Sequence, residues 1–111
     1  MRLTFLGTGT SQGIPVIGCT CEVCTSNNLK DKRLRTSAMV EIDEKVFVID
    51  TGPDFRQQML RENPGRLDAV IYTHEHKDHV AGMDDIRPFN YQSGNALDIY
   101  ASKQVINALK R

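Results

Sequence analysis

Polar and apolar side chains alternate from Arg2 to Leu6, which predicts a strand over 2–6. Residues 7–18 hold Gly7, Gly9, Gly13, Gly18 and Pro15 and read as a long loop. A polar stretch then runs through Arg35, with room for a short helix over Glu22–Leu29. Thr36–Ile42 and Val46–Asp50 are rich in β-formers, and Asp43-Glu44-Lys45 between them predicts a hairpin. Asp54–Glu62 has helix formers, with Phe55, Met59 and Leu60 on one face, Asp54 positioned to cap its start and Pro64-Gly65 to end it. Leu67–Tyr72 is a compact apolar run, expected as a buried strand. Gly82–Asn90 reads as loop with a helical turn that Pro88 limits. Leu97–Ala101 predicts another strand, and Ser102–Leu109 a helix with Ser102 as N-cap.

Strands first, then strand and helix in alternation, predict an α+β fold. An open sheet of about five or six short strands would keep one face that needs a partner layer. The 111 residues therefore read as half of a larger domain, whose exposed face could pair with a second copy as a homodimer.

Composition changes this picture little. Charged residues make up 25% and hydrophobic ones 40%, as in an ordinary globular protein and unlike a disordered one. Six per cent aromatics and no Trp predict a core of Val, Ile, Leu and Met. Lys plus Arg and Asp plus Glu are each 14, so a broad basic footprint is absent and nucleic acid is not expected as a partner. No apolar run approaches the ~20 residues of a membrane helix, so no membrane partner is expected. The first seven residues are too short and too alternating for a signal peptide.

Two residue types are distributed very unevenly. All three Cys lie at 19, 21 and 24, and all three His at 74, 76 and 79. The odd Cys count argues against a disulfide framework and predicts a reducing, cytoplasmic compartment. Thr73-His74-Glu75-His76-Lys77-Asp78-His79 directly follows a predicted buried strand, where a rigid sheet can aim side chains into a cleft. In extended backbone His74 and His76 point to the same side. Asp78 and His79 come one turn later. One ion could not comfortably use all four donors from so short a segment, whereas two ions ~3.5–4 Å apart could. The bland alternative is a polar surface loop, and Glu75 and Lys77 alternate towards solvent.

These residues resemble the His-x-His-x-Asp-His motif of the metallo-β-lactamase-fold hydrolases. The resemblance implies the N-terminal half of a four-layer αββα sandwich. It implies that His74 and His76 bind a first metal, and Asp78 and His79 a second, with Asp78 also orienting the attacking water as a catalytic residue. Val48-Ile49-Asp50-Thr51-Gly52 looks like the family's Asp-bearing strand end, where Asp50 would support the metals from behind the ligands; a plain turn Asp before Gly52-Pro53 is the alternative. The family's remaining ligands, a further His, a bridging Asp and another His, belong downstream of Arg111, so activity is expected of the parent protein rather than of these residues alone.

Cys19-Thr20-Cys21-Glu22-Val23-Cys24 contains the Cys-x2-Cys spacing of structural zinc sites. Three thiolates need a fourth ligand: an Asp or Glu, a water, or a residue outside the chain. Three free thiols are the bland alternative. A redox pair is the other, although no helix follows to lower a thiol pKa. Together with Gly7-Thr8-Gly9-Thr10-Ser11, Gly13-Ile14-Pro15, Gly18 and the segment Gly82–Asn90, this motif is similar to one branch of the superfamily, the phosphoribosyl cyclic phosphate phosphodiesterases. Members carry a three-Cys zinc site with a later His as fourth ligand.

Gly7-x-Gly9-x3-Gly13 is one residue longer than the dinucleotide fingerprint and no helix opens after it, so nucleotide binding is not expected. The loop is expected to bring backbone close to the metal cleft. Lys30, Lys32, Arg33 and Arg35 read as a solvated basic run, with phosphate contact the lesser alternative; Arg87 and Asp84 lie where they could touch substrate.

The expectation is a metal-dependent phosphodiesterase with two divalent metals, Zn or Mn, at the histidine motif and one structural Zn at the cysteines. Its substrate would be a small phosphodiester. A nuclease like the tRNA 3′-processing enzymes is the alternative within enzymes, and a zinc-stabilised fragment or binding module is the alternative without catalysis.

Overall fold

A computed structural model describes residues 1–110. Five strands form one sheet in the order β1 (Arg2–Gly7), β2 (Ser37–Ile42), β3 (Lys45–Ile49), β4 (Ala69–Ile71) and β5 (Asp98–Tyr100). The first two pairings are antiparallel and the last two parallel. The turn between β2 and β3 takes two residues, Asp43 and Glu44, both at positive φ (49° and 67°), the backbone a tight hairpin requires. The parallel pairs need crossovers. Helix α1 (Phe55–Glu62) links β3 to β4, and α2 (Lys77–Val80) with α3 (Arg87–Ser93) links β4 to β5. Helix α4 (Lys103–Leu109) follows β5, with the Ser102 hydroxyl accepting from Val105 N–H at its start.

One sheet face carries the core. Met39, Val48 and Val70 stand in one cross-strand row and are buried with Phe55 and Met59 of α1 and Val105 of α4. The opposite face is also apolar but open. Phe5, Ala38, Ile49, Ile71 and Tyr100 form its central row, and Phe5 and Tyr100 keep 68% and 55% of their surface.

Several local expectations are corrected. No helix forms over Glu22–Leu29; turns occupy it, and a single 3₁₀ turn spans Leu29–Asp31. Ser26 and Asn28 side chains accept from the backbone N–H groups of Asn28 and Lys30, which competes with helix. Pro88 does not limit a helix but opens α3, where a missing N–H costs nothing. Asp54 sits at the N-cap of α1 without capping it. Its carboxylate instead takes Arg35 N–H (2.8 Å) and Arg35 Nη1 (3.0 Å). On α1, Leu60 faces solvent, and Gln58 is buried in its place, donating to Arg35 O.

The direction of the strands positions the site. Strands β1, β3, β4 and β5 run one way and β2 the other, so the glycine loop, Asp50 and the histidine motif emerge at the same sheet edge.

Candidate metal centres

The histidine motif begins at His74, three residues after the last residue of β4, and is held by the end of β3. Asp50 N–H donates to Ile71 O (2.9 Å), Thr51 N–H to His79 O (2.8 Å) and Gly82 N–H to Thr51 O (2.9 Å). A Cβ on Gly52 would lie 2.4 Å from Asp78 O, so only glycine lets this segment lie against α2. Beneath the site Thr51 and Tyr72 share a buried hydroxyl–hydroxyl hydrogen bond of 2.6 Å. Burial raises the Tyr72 pKa, opposed by the Thr51 hydrogen bond and aided by the nearby Asp50 charge.

Asp50 is the hub. It is buried and holds a left-handed backbone (φ 63°), a conformation Asp tolerates better than most residues. Its Oδ1 accepts Thr73 N–H (2.8 Å), and its Oδ2 accepts the Thr73 hydroxyl (2.6 Å) and lies 2.7 Å from His79 Nδ1. A carboxylate so occupied is suited to orienting an imidazole. The other nitrogen of His79, Nε2, lies 2.9 Å from Asp78 Oδ2. The His74 ring packs 3.7 Å from that of His79 and 4.8 Å from that of His76, centroid to centroid.

The donor atoms therefore fall into two overlapping groups, Asp50–His74–His79 and His74–His76–Asp78, each within 4.8 Å. All five sequence-selected residues come together in one contiguous cluster, with His74 common to both groups. Sequence reasoning missed Thr73, Thr51 and Tyr72, which support it. The only available signal was a hydroxyl residue directly before the first His.

The cysteine window is built differently. The Sγ atoms of Cys19, Cys21 and Cys24 also lie within 4.8 Å of one another, but Cys19 and Cys21 are exposed. Val16 N–H points at Cys24 Sγ (3.4 Å) and Cys24 N–H at Cys21 Sγ (3.5 Å). The Cys24 N–H, helped by the neighbouring thiols, lowers the Cys21 pKa to about 7. Cys24 moves up: the Val16 N–H lowers it, but Cys19, Cys21 and burial together outweigh that. Among the described residues the cluster of three sulfurs contains no His.

The glycine loop is fastened to the segment before β2. It is zipped to residues 33–36 through Gly9 N–H to Leu34 O and a reciprocal pair between Ile14 and Arg33, each 2.8 Å, and Thr36 donates its hydroxyl to Gly9 O. A Cβ on Gly7 would meet Arg35 O at 2.0 Å. The basic run packs along this loop, with Arg33 Nη1 on the Thr8 hydroxyl and Arg35 Nε on Ser11 O.

Comparison with known proteins agrees with this architecture. The family profile described as beta-lactamase superfamily domain matches residues 45–111. The crystal structure of a diphosphatase from the PhnP family superposes with TM-score 0.91 and 50% identity, over 97% of this chain and 44% of that one. Zinc-bound PqqB from Methylobacterium extorquens superposes with TM-score 0.80 and 26% identity, over 99% and 40%. An octanoyltransferase of Porphyromonas gingivalis is 46% identical over 99% of this chain, but over only 22% of its own length. The chain thus spans less than half the length of these relatives. The mixed sheet and its helices are a partial domain of the metallo-β-lactamase fold, as the motif resemblance implied. No described helix is long and apolar enough to cross a membrane.

Proposed function

The chain belongs to the beta-lactamase superfamily, and from that membership we propose that it forms part of a metal-dependent phosphodiesterase whose centre is the histidine cluster. The observation that carries this reading is the convergence of His74, His76, Asp78 and His79, with His79 held from behind by the buried Asp50. The donor set fits a divalent ion: imidazole suits zinc and carboxylate widens the choice to manganese. His74, His76, Asp78 and His79 would hold two ions, completed by residues beyond this partial domain. Such ions supply charge against phosphoryl oxygens and acidify water at neutral pH. Asp50 fixes the His79 ring, and Asp78 accepts a hydrogen bond from the attacking water and orients it. Cys19, Cys21 and Cys24 would hold a separate structural zinc that secures the loop before β2.

The substrate class in this reading is a small phosphodiester. A diphosphate is the second reading, favoured by 50% identity to a protein described as a diphosphatase. Hydrolysis of bis(4-nitrophenyl) phosphate and of a nucleoside diphosphate ester, measured side by side with the intact protein, separates the two. His76→Ala should reduce the favoured activity to background. Activity on neither substrate, with metals loaded, would contradict both readings.

A further inference from the structure

We propose that Thr73 is a positioning residue that sets the tautomer of His74, relaying the orienting influence of Asp50 from His79 to a second imidazole. Its backbone N–H and its hydroxyl both donate to Asp50, at 2.8 and 2.6 Å, while the hydroxyl oxygen also lies 3.0 Å from His74 Nδ1. Proton accounting gives this arrangement a direction. A carboxylate accepts and does not donate, and a hydroxyl has one proton. With that proton committed to Asp50 Oδ2, the hydroxyl oxygen can only accept from His74. His74 therefore carries its proton on Nδ1 and presents Nε2 with a free lone pair. The same carboxylate oxygen stands 2.7 Å from His79 Nδ1 and holds a proton there, while His79 Nε2 faces Asp78 Oδ2 at 2.9 Å.

One buried carboxylate thus arranges two imidazoles, one directly and one through a hydroxyl. Their rings lie 3.7 Å apart. Among the described residues no hydrogen bond reaches the His76 ring, so His76 serves as an internal control. The relay itself is a property of the metal-free chain; only its consequence for metal affinity rests on the function proposed above.

The test is long-range ¹⁵N NMR of the imidazoles in the metal-free intact protein at about pH 8, above the ordinary imidazole range. The wild type and Thr73→Ser should show His74 as a single Nδ1–H tautomer. Thr73→Val, which keeps the amide but lacks the hydroxyl, should give His74 a mixture while the His79 signal keeps its wild-type pattern, with Nδ1 protonated. Zinc affinity should fall about ten- to a hundredfold in Thr73→Val and return in Thr73→Ser. A general loss of packing would disturb His79 as well and would not be rescued selectively at His74. An Nε2–H form of His74 in the wild type would overturn the proposal, whether or not the valine variant folds. So would an unchanged His74 signal in folded Thr73→Val. A tautomer that follows Thr73 in a protein that takes up no zinc would support the relay and defeat the metal reading instead.

Discussion

The histidine and cysteine windows each gather possible ligands within a few residues, yet the fold treats them differently. The histidine cluster is fastened to two strand ends. Asp50, Thr51, Gly52 and Tyr72 come from β3 and β4 or just beyond, and their hydrogen bonds reach 21 to 29 residues along the chain. Two of the three cysteines are exposed, and the window's hydrogen bonds to Thr25 and between Cys21 and Cys24 are local. Only Val16 N–H to Cys24 Sγ reaches as far as eight residues. A site made by a sheet exists before its ion arrives. A site made by a loop takes its order from the ion. The histidine centre should therefore be rigid without metal, and the cysteine centre should not.

The sharpest break in that comparison comes from the ligands themselves. His76→Ala should lower phosphodiester hydrolysis by well over about a hundredfold, more than the loss of an outer-shell partner, while Cys21→Ser should keep most of the activity. Equal loss from both would end the division into two independent centres.

Asp50→Ala comes next. It leaves Thr73 N–H and His79 Nδ1 without their partner, and should cost about 2–3 kcal/mol in chemical denaturation. It should also weaken metal binding ten- to a hundredfold, roughly as other outer-shell losses do. Unchanged stability would mean that the carboxylate is not the hub.

Gly52→Ala tests the close approach of β3's end to α2. The added Cβ must displace Asp78 O, at a cost of about 1–3 kcal/mol. The corresponding loss of metal affinity should exceed that of a change at Gly65, where a Cβ meets open space.

The smallest expected effect is at the thiols. In the metal-free protein Cys21, with its pKa lowered to about 7, should be alkylated before Cys24, whose pKa is raised. As pH falls through about 7 the Cys21 thiolate protonates, so its alkylation slows and zinc uptake at the window weakens. Chelation should raise hydrogen exchange at residues 16–28 while leaving Thr51, Thr73 and Gly82 protected.

Much of this was legible in the sequence where short-range rules apply. The alternation of β1, the β2–β3 hairpin, the Ser102 cap and the spacing of the histidines each depend on a few neighbouring residues. What escaped depends on partners far along the chain. Asp54 has the right position for a cap, but Arg35, 19 residues earlier, takes its carboxylate. Gln58 replaces Leu60 at the buried face because Arg35 O needs a donor there. The close approach of Gly7, Gly9 and Gly13 to the backbone at 33–35 also has no signal in the sequence around them. A threonine after a strand is common, and the role of Thr73 exists only once Asp50 is beside it.

The two centres should load independently, one prepared by the sheet and one by its own ion. Metal content per chain in the intact protein, measured by elemental analysis for the wild type and for the variant with Cys19, Cys21 and Cys24 all changed to Ser, tests it most directly. The serine variant should lose one zinc and keep the metal of the histidine cluster. A variant that loses all of its metal, or none of it, would mean that the protein does not hold two independent centres.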